Sequence, residues 1–157
     1  MRVKLEIQEQ YKEMEIHVCY HQKDEQVEQT MRQISELLEE RIQVSDGRDI
    51  HLLTLGEIIR CYTEGQKVLV QTPGGVFQSG LKLYELEEKL LPGDFVRISR
   101  SELVNIHCIR QLDMNLIGTI RVILSDGTET YTSRRCIPML KEALGLKVQK
   151  GGYHEEK

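Results

Sequence analysis

Arginines beside small polar residues occupy two short segments in the C-terminal half of the sequence, Arg97–Asn105 and Thr132–Arg135. In both segments serines flank the arginines, at places where a loop or the end of an element is expected. The arginine side chain carries a rigid fork of N–H donors that matches phosphate oxygens and the acceptor edge of guanine. These residue types therefore indicate an anionic partner, and nucleic acid is the partner that this loop chemistry favours.

The charge of the chain is unevenly distributed. Residues 1–94 contain 11 Lys and Arg against 18 Asp and Glu, whereas residues 95–150 contain 9 against 5. The sequence pI near 5.8 averages an acidic part with a basic one. Such asymmetry is typical of proteins that meet nucleic acid or a membrane surface. We expect the anionic partner to bind the basic part.

Catalytic chemistry is not indicated. The sequence contains no G-x-S-x-G, H-E-x-x-H, P-loop or dinucleotide-binding motif. His107 and Cys108 are neighbours in a predicted strand, so their side chains would point to opposite faces and could not form a dyad. The four cysteines include no Cys-x-x-Cys pair, which argues against a zinc site. We therefore expect neither an enzyme nor a bound metal or cofactor.

The composition is that of a soluble globular protein, with 39% hydrophobic and 29% charged residues in a chain of 157. No apolar run approaches the roughly 20 residues needed to cross a bilayer. The N-terminus is charged throughout and lacks the apolar stretch of a signal peptide. The sequence predicts a cytoplasmic protein.

Residues 1–46 are predicted to form a small N-terminal strand and helix extension with a regulatory or dimerisation role. Apolar and charged residues alternate in Val3–Ile7, and Glu15–Tyr20 reads as a second strand in which Cys19 would be buried. His17 and His21 are expected at the surface or at a strand edge. A helix is predicted over Asp24–Arg41.

One face of that predicted helix is apolar, through Val27, Met31, Ile34 and Leu38. This stripe either packs on the two predicted strands or forms a dimer seam. Because it lasts only about two heptads, it falls short of the three or four that favour a coiled coil.

Residues 47–146 are predicted to form a second domain after a turn at Ser45–Asp49, with a flexible tail at 147–157. Pro73 and Gly74 suit a hairpin turn better than a phosphate-binding loop, because no Lys-Ser/Thr and helix entry follow. Strands are predicted at Ile50–Thr54, Glu57–Tyr62, Lys67–Thr72, Phe95–Ile98, Leu103–Ile109 and Ile117–Leu124, and helices at Leu81–Leu90 and Arg134–Leu144. The fold class is therefore α+β, mostly antiparallel β with short helices.

From Asp49 to Leu146 the sequence resembles the LytTR-type DNA-binding domain found at the end of many bacterial response regulators. The resemblance rests on motifs in a fixed order: a strand and hairpin, a Leu-rich helix, the element FVRISRSELVN, an Asp-Gly hairpin, and Ser-Arg-Arg before the last helix. It implies an elongated antiparallel β fold in which loops, and not a recognition helix of the helix-turn-helix kind, enter successive major grooves.

The resemblance also implies which residues meet DNA. Three places correspond to the family's contact loops: the turn before the KVLVQT strand, the R-x-S-R-S loop, and the start of the last helix. The residues are Gln66, Lys67, Arg97, Ser99, Arg100, Ser133, Arg134 and Arg135. Relatives often carry His or Asn where this chain has Ser99 and Arg100, and Arg100 would favour guanine or a phosphate. Asn105 is interpreted as structural support for its loop.

A receiver domain needs about 120 residues of alternating strand and helix, more than the N-terminal part offers. The chain thus resembles stand-alone LytTR transcriptional regulators that lack a receiver domain. The resemblance implies that a small membrane protein can inhibit a regulator of this kind. We expect a homodimer on promoter DNA, at direct repeats. The alternative is a protein-interaction module whose acidic N-terminal half docks a partner without direct DNA binding.

Overall fold

The computed structural model describes residues 16–90 and 93–146. These residues fall into two compact units, which divide between Glu39 and Glu40. In the first unit, helix α1 spans Glu25–Leu38. Asp24 caps its start, because its Oδ1 accepts a hydrogen bond of 2.9 Å from the Val27 amide. The helix ends before the predicted Arg41, since Glu39 adopts an extended backbone.

The segment before α1 differs from the prediction. Residues 16–20 form no strand, so the predicted second strand is wrong where it is described, and Cys19 is exposed instead of buried. The predicted strand Val3–Ile7 lies outside the described residues. No residue of α1 is buried; Val27 and Ile34 are half-buried, whereas Met31 and Leu38 are exposed. Alternation alone does not make a strand, because each strand needs a partner for its backbone groups.

The second unit is built on a seven-stranded antiparallel sheet with the order β2-β1-β5-β4-β3-β7-β6. Helix α2, Leu83–Leu90, lies between β5 and β6 in the sequence, and the described segment resumes at Gly93. The strands are β1 Arg41–Ser45, β2 Ile50–Thr54, β3 Arg60–Glu64, β4 Lys67–Thr72, β5 Gly75–Ser79, β6 Phe95–Ser99 and β7 Glu102–Asn105.

A three-stranded antiparallel sheet follows, with the order β10-β9-β8. Its strands are β8 Ile109–Asp113, β9 Arg121–Leu124 and β10 Glu129–Tyr131. A 3₁₀ turn, Arg134–Cys136, then leads into helix α3, Ile137–Ala143. The expected α+β fold of mostly antiparallel β structure with short helices is confirmed. No helix in the described ranges is long and apolar enough to cross a membrane.

Several element boundaries differ from those predicted. Strand β1 pairs with β2 and β5, so the sheet begins before the predicted boundary at residues 46–47. A 3₁₀ turn at Leu55–Glu57 replaces the start of the predicted Glu57–Tyr62 strand, and another at Ile106–Cys108 interrupts the predicted Leu103–Ile109 strand.

The turns and the last helix also show smaller differences. Pro73 and Gly74 form the β4–β5 turn as expected, but the positive φ of 144° lies on Gly75. The predicted strand from Ile117 is regular only from Arg121. The predicted helix from Arg134 is a 3₁₀ turn before it becomes α-helical at Ile137.

Two hydrophobic cores flank the β6–β7 hairpin. Leu83, Leu86 and Leu90 of α2 pack on one side of it, in a cluster that also holds Phe95 and Leu103. Fully burying a leucine side chain is worth about 1.5–3 kcal/mol, so these residues fix α2 on the sheet. The alternate residues of the hairpin face a second cluster with the small sheet and α3: Val96, Ile98, Val104, Val122, Leu124 and Leu140. The hairpin is therefore held from both faces.

Candidate nucleic-acid interface

Two of the predicted contact loops lie side by side at one end of the large sheet. β3 and β7 are paired antiparallel, and the Thr63 amide donates to the Ser101 carbonyl oxygen over 2.9 Å. The β3–β4 turn at Gly65 and Gln66 and the β6–β7 turn at Arg100 and Ser101 therefore project from the same end. Because neighbouring strands are about 4.8 Å apart, the centres of these adjacent hairpins are roughly 10 Å apart.

The third predicted element reaches the same end from the other side of β6. The Ser133 amide donates to the Ile98 carbonyl oxygen over 2.7 Å, close to the C-terminal end of β6. β6 is the edge strand of the large sheet, so Ser133 and the following arginines extend the row beyond it. In the sequence Gln66, Arg100 and Ser133 follow one another at separations of 34 and 33 residues, and only backbone pairing brings the three loops together.

The β6–β7 turn is shaped by its own side chains. The register shifts between Arg97 and Ser99, and the Ser99 hydroxyl accepts from the Ser101 amide over 3.3 Å. Arg97 forms an ion pair with Glu87 of α2, and its Nη1 donates to the Arg100 carbonyl oxygen over 2.7 Å. The Arg97 guanidinium is thus engaged within the chain. The Arg100 side chain is exposed and has no ion pair or hydrogen bond with any described residue.

Arg134 and Arg135 are exposed in the 3₁₀ turn before α3, on which Ser133 makes no side-chain capping bond. The Arg134 guanidinium lies against Gly118, where an added Cβ would be 2.7 Å from its Nη2. α3 is only seven residues long and starts after both arginines. The helix dipole of α3 therefore has little influence on these two arginines.

Gln66 and Lys67 are exposed at the tip of the β3–β4 hairpin. Asn105 is buried at the other end of β7, where its Nδ2 donates to the Ile58 carbonyl oxygen over 2.9 Å. Its Oδ1 accepts from the His107 amide over 3.0 Å. Asn105 thus satisfies backbone groups of the adjoining segments.

A polar cluster joins the large sheet to the small sheet, and sequence reasoning missed it. Arg60 donates to Glu102 over 2.8 Å and to Gln71 over 2.7 Å, and Thr130 of the small sheet donates to Glu102 over 2.5 Å. Gln71 also donates to Asp126. No local motif could have revealed this cluster, because its members are spread over the sequence from Arg60 to Thr130.

The ionisation of Asp126 follows from that cluster. Burial raises the pKa of Asp126, but hydrogen bonds from Thr128 and Gln71 outweigh burial and leave it below the ordinary value. The Asp126 carboxylate therefore stays charged and hydrogen-bonded at neutral pH. In the same cluster, Arg60 lies over the Tyr62 ring, with Cζ 4.2 Å from the ring centroid.

Among the described residues, the cysteines and histidines form no cluster that resembles a reactive centre. Burial raises the pKa of the Cys61 thiol to about 12, so it stays protonated. His107 bonds Asp94 over 2.8 Å, whereas the Cys108 sulfur lies 4.0 Å from the Ile58 carbonyl oxygen. Across residues 16–90 and 93–146, no group of three or more His, Cys, Asp or Glu could hold a metal ion.

Comparison with known proteins identifies the family of the chain. Residues 48–145 match the family described as the LytTr DNA-binding domain. The chain belongs to the LytTR family. The match lies inside the range 47–146 that the sequence predicted for this domain. In residues 48–145 of this LytTR chain, 12 Lys and Arg balance 12 Asp and Glu. Attraction to an anion must therefore come from where the arginines lie and not from net charge.

Relatives of the LytTR chain are found among regulators. An uncharacterized HTH-type transcriptional regulator of Staphylococcus aureus strain bovine RF122 is 39% identical over 99 residues, 63% of this chain and 67% of that protein. A protein of the same description from strain NCTC 8325 is 38% identical over the same shares. The described part of this chain has no adjacent helix pair of the helix-turn-helix kind.

A solved structure shows the same fold. It is the LytTr DNA-binding domain of a protein described as a methyl-accepting/DNA response regulator from Bacillus cereus, with a TM-score of 0.64 and 17% sequence identity. The likeness covers 68% of this chain and 97% of that one. The LytTR architecture is therefore shared even where few side chains are.

Proposed function

We propose that this LytTR protein is a sequence-specific DNA-binding regulator of transcription. The observation that carries the proposal is the convergence of three exposed cationic loops at one end of the large sheet, in a domain whose family binds DNA. The regulator names of its relatives in Staphylococcus aureus support the assignment to transcription.

The three loops offer two kinds of cation to the duplex. The guanidinium groups of Arg100 and Arg135 have no partner among the described residues and can bind guanine N7 and O6 or phosphate oxygens. Lys67 is an exposed point charge suited to a phosphate. Gln66, Ser99, Ser133 and Arg134 provide further donors in the same three loops.

The row of loops has a length that suits a duplex. Its first two members are roughly 10 Å apart by strand spacing, and the third lies beyond the edge strand. A minor groove is about 6 Å wide, so the two outer loops of this row can lie on either side of one. We infer that the outer loops enter successive major grooves. Two copies on direct repeats would double this contact.

The proposal is tested with DNA selected by the protein from a random duplex library. The Arg100→Ala, Arg135→Ala double variant should lose most of its affinity for the selected site. An Arg32→Ala, Arg48→Ala variant is the matched control, because it removes the same charge from exposed residues outside the three loops. Equal affinity of the two variants would remove the loop assignment.

A salt titration of the wild type separates DNA binding from the alternative of a protein-interaction module. Loops that neutralise several phosphates should make log affinity fall steeply as log salt rises. Selection of no sequence from the library, together with a flat salt dependence, would favour the module.

A further inference from the structure

Arg97 occupies a bridging position between α2 and the β6–β7 turn. About a fifth of its side chain is exposed, at 21%, and about a quarter of the Glu87 side chain, at 27%. One side of the guanidinium meets the Glu87 carboxylate, and Nη1 on the other side donates 2.7 Å to the Arg100 carbonyl oxygen. The same Nη1 lies 3.5 Å from the Ser99 carbonyl oxygen.

Glu87 is well placed to fix that guanidinium because α2 itself is fixed. Leu86, the residue before it, and Leu90 are fully buried, and Leu83 on the same helix is buried as well. A carboxylate held on a packed helix restricts the arginine that it binds, and a charge-assisted bond of this kind is stronger than one between neutral groups. The neighbouring Glu88 is exposed and makes no hydrogen bond or ion pair with the described residues.

The turn that Arg97 reaches is held at Ser101 by β3, and Arg97 holds it at Arg100. The Ser101 carbonyl oxygen accepts from the Thr63 amide over 2.9 Å. The register shift leaves the strand ladder irregular between Arg97 and Ser99, and the Ser99 hydroxyl makes only weak 3.3 Å contacts with Ser101. Without the guanidinium, the Arg100 carbonyl would turn to water and the turn would sample several conformations.

We propose that Glu87 and Arg97 are positioning residues that hold the β6–β7 turn, and with it Arg100, in the conformation that reads DNA. The inference rests on the proposed DNA-binding function and adds a role to it. Arg97 then acts through the turn instead of touching DNA, and Glu87, an acidic residue, strengthens binding of an anion. A loop ordered before binding loses less entropy when it binds.

The test compares Glu87→Gln with Glu88→Gln, which remove the same charge from adjacent positions of α2. By long-range electrostatics alone, loss of a negative charge should leave DNA affinity unchanged or raise it slightly in both. We expect Glu88→Gln to behave so, and Glu87→Gln to bind the selected site about 5- to 20-fold more weakly, as expected for losing a charge-assisted bond. Its affinity for random DNA should not fall, so the specificity ratio should decrease.

Two further measurements separate positioning from direct contact. Arg97→Ala should weaken specific binding without changing the slope of log affinity against log salt, whereas loss of a phosphate contact would lower that slope by about 1. In the DNA-free protein, backbone amide relaxation at Arg100 and Ser101 should show more motion in Glu87→Gln than in Glu88→Gln. Combining Glu87→Gln with Arg97→Ala should cost no more than Arg97→Ala alone.

The outcomes distinguish this inference from the proposed function. If Arg100→Ala weakens DNA binding while Glu87→Gln and Glu88→Gln bind alike, the turn is a contact and the positioning role is overturned. A lowered salt slope in Arg97→Ala likewise overturns it in favour of a phosphate contact. If Arg100→Ala itself has no effect, the β6–β7 turn fails as a contact loop and its positioning for DNA fails with it, whereas unequal turn motion in the two glutamine variants would still show that Glu87 orders the turn.

Discussion

Gly118 offers a sharp test of Arg134, because a single methyl group there should displace the guanidinium. The Cβ of an alanine would be 2.7 Å from Arg134 Nη2 and 3.3 Å from Nε, against 3.4 Å or more in ordinary contact. The guanidinium must therefore move by at least 0.7 Å, the difference between 3.4 and 2.7. Gly118 also has a φ of 76°, at which an L-residue is strained by about 1–2 kcal/mol.

Gly127 is the matched control. Its φ is 88°, and an added Cβ would meet nothing within 4 Å. Gly118→Ala and Gly127→Ala should therefore lose similar free energies of unfolding, about 1–2 kcal/mol each, from backbone strain. The Arg134 clash adds little to that loss, since the clashing atoms end a flexible side chain.

DNA affinity should separate the two glycine variants. If Arg134 contacts the duplex, Gly118→Ala should lose up to the value of one good arginine contact, about 1–3 kcal/mol, or about 5- to 150-fold in Kd. Gly127→Ala should bind as the wild type does at a temperature where both variants are folded. Fluorescence anisotropy on the selected site, with thermal melts of the same samples, measures both quantities.

A double-mutant cycle decides whether the effect passes through Arg134. The Gly118→Ala, Arg134→Ala variant should bind no more weakly than Arg134→Ala alone, because the displaced group is already absent. Additive losses would refute the reasoning and assign the effect of Gly118 to the loop backbone. Equal binding by Gly118→Ala and the wild type would show that the position of Arg134 does not matter to DNA.

Four other substitutions have defined outcomes. Arg135→Ala should weaken specific binding by about 1–3 kcal/mol and relax preference at one base pair, whereas Lys67→Ala should lower affinity for all sequences about equally; binding to a panel of single-base variants distinguishes them. The lowered pKa of Asp126 stabilises the fold above the unfolded value near pH 4, and this contribution is lost as pH falls through the folded pKa. Asp126→Asn should therefore show a smaller drop in Tm than the wild type between pH 5 and about pH 2.5, in melts at constant ionic strength. If the apolar face of α1 is a dimer seam, Ile34→Glu should yield monomers in sedimentation experiments, and a dimer that persists would exclude the seam.

Elements with complete local signals were predictable from the sequence. The Leu-rich helix repeats at helical spacing, the KVLVQT strand is rich in β-branched residues, and Asp126-Gly127 is a hairpin turn in both prediction and structure. Each depends on the backbone preferences of a few neighbouring residues, which the sequence states directly.

Elements that depend on a distant partner were not predictable in the same way. The predicted helix was extended to Arg41, yet Arg41 begins β1, which pairs with β5 more than thirty residues later. The Glu15–Tyr20 segment alternates like a strand, but residues 16–20 form none. Period alone cannot distinguish these cases, because the deciding hydrogen bonds are long-range.

The sequence by itself determined the family and the residues able to bind an anion, because motif order and side-chain chemistry are properties of the chain. Only the tertiary structure decided where those residues lie and which groups of the protein they contact. Strand pairing brings three separate loops to one end of a sheet. It also places Arg97 against Glu87 and Arg134 against Gly118. Whether an arginine is free to meet DNA or is held within the protein depends on its neighbours in space, and packing fixes those neighbours.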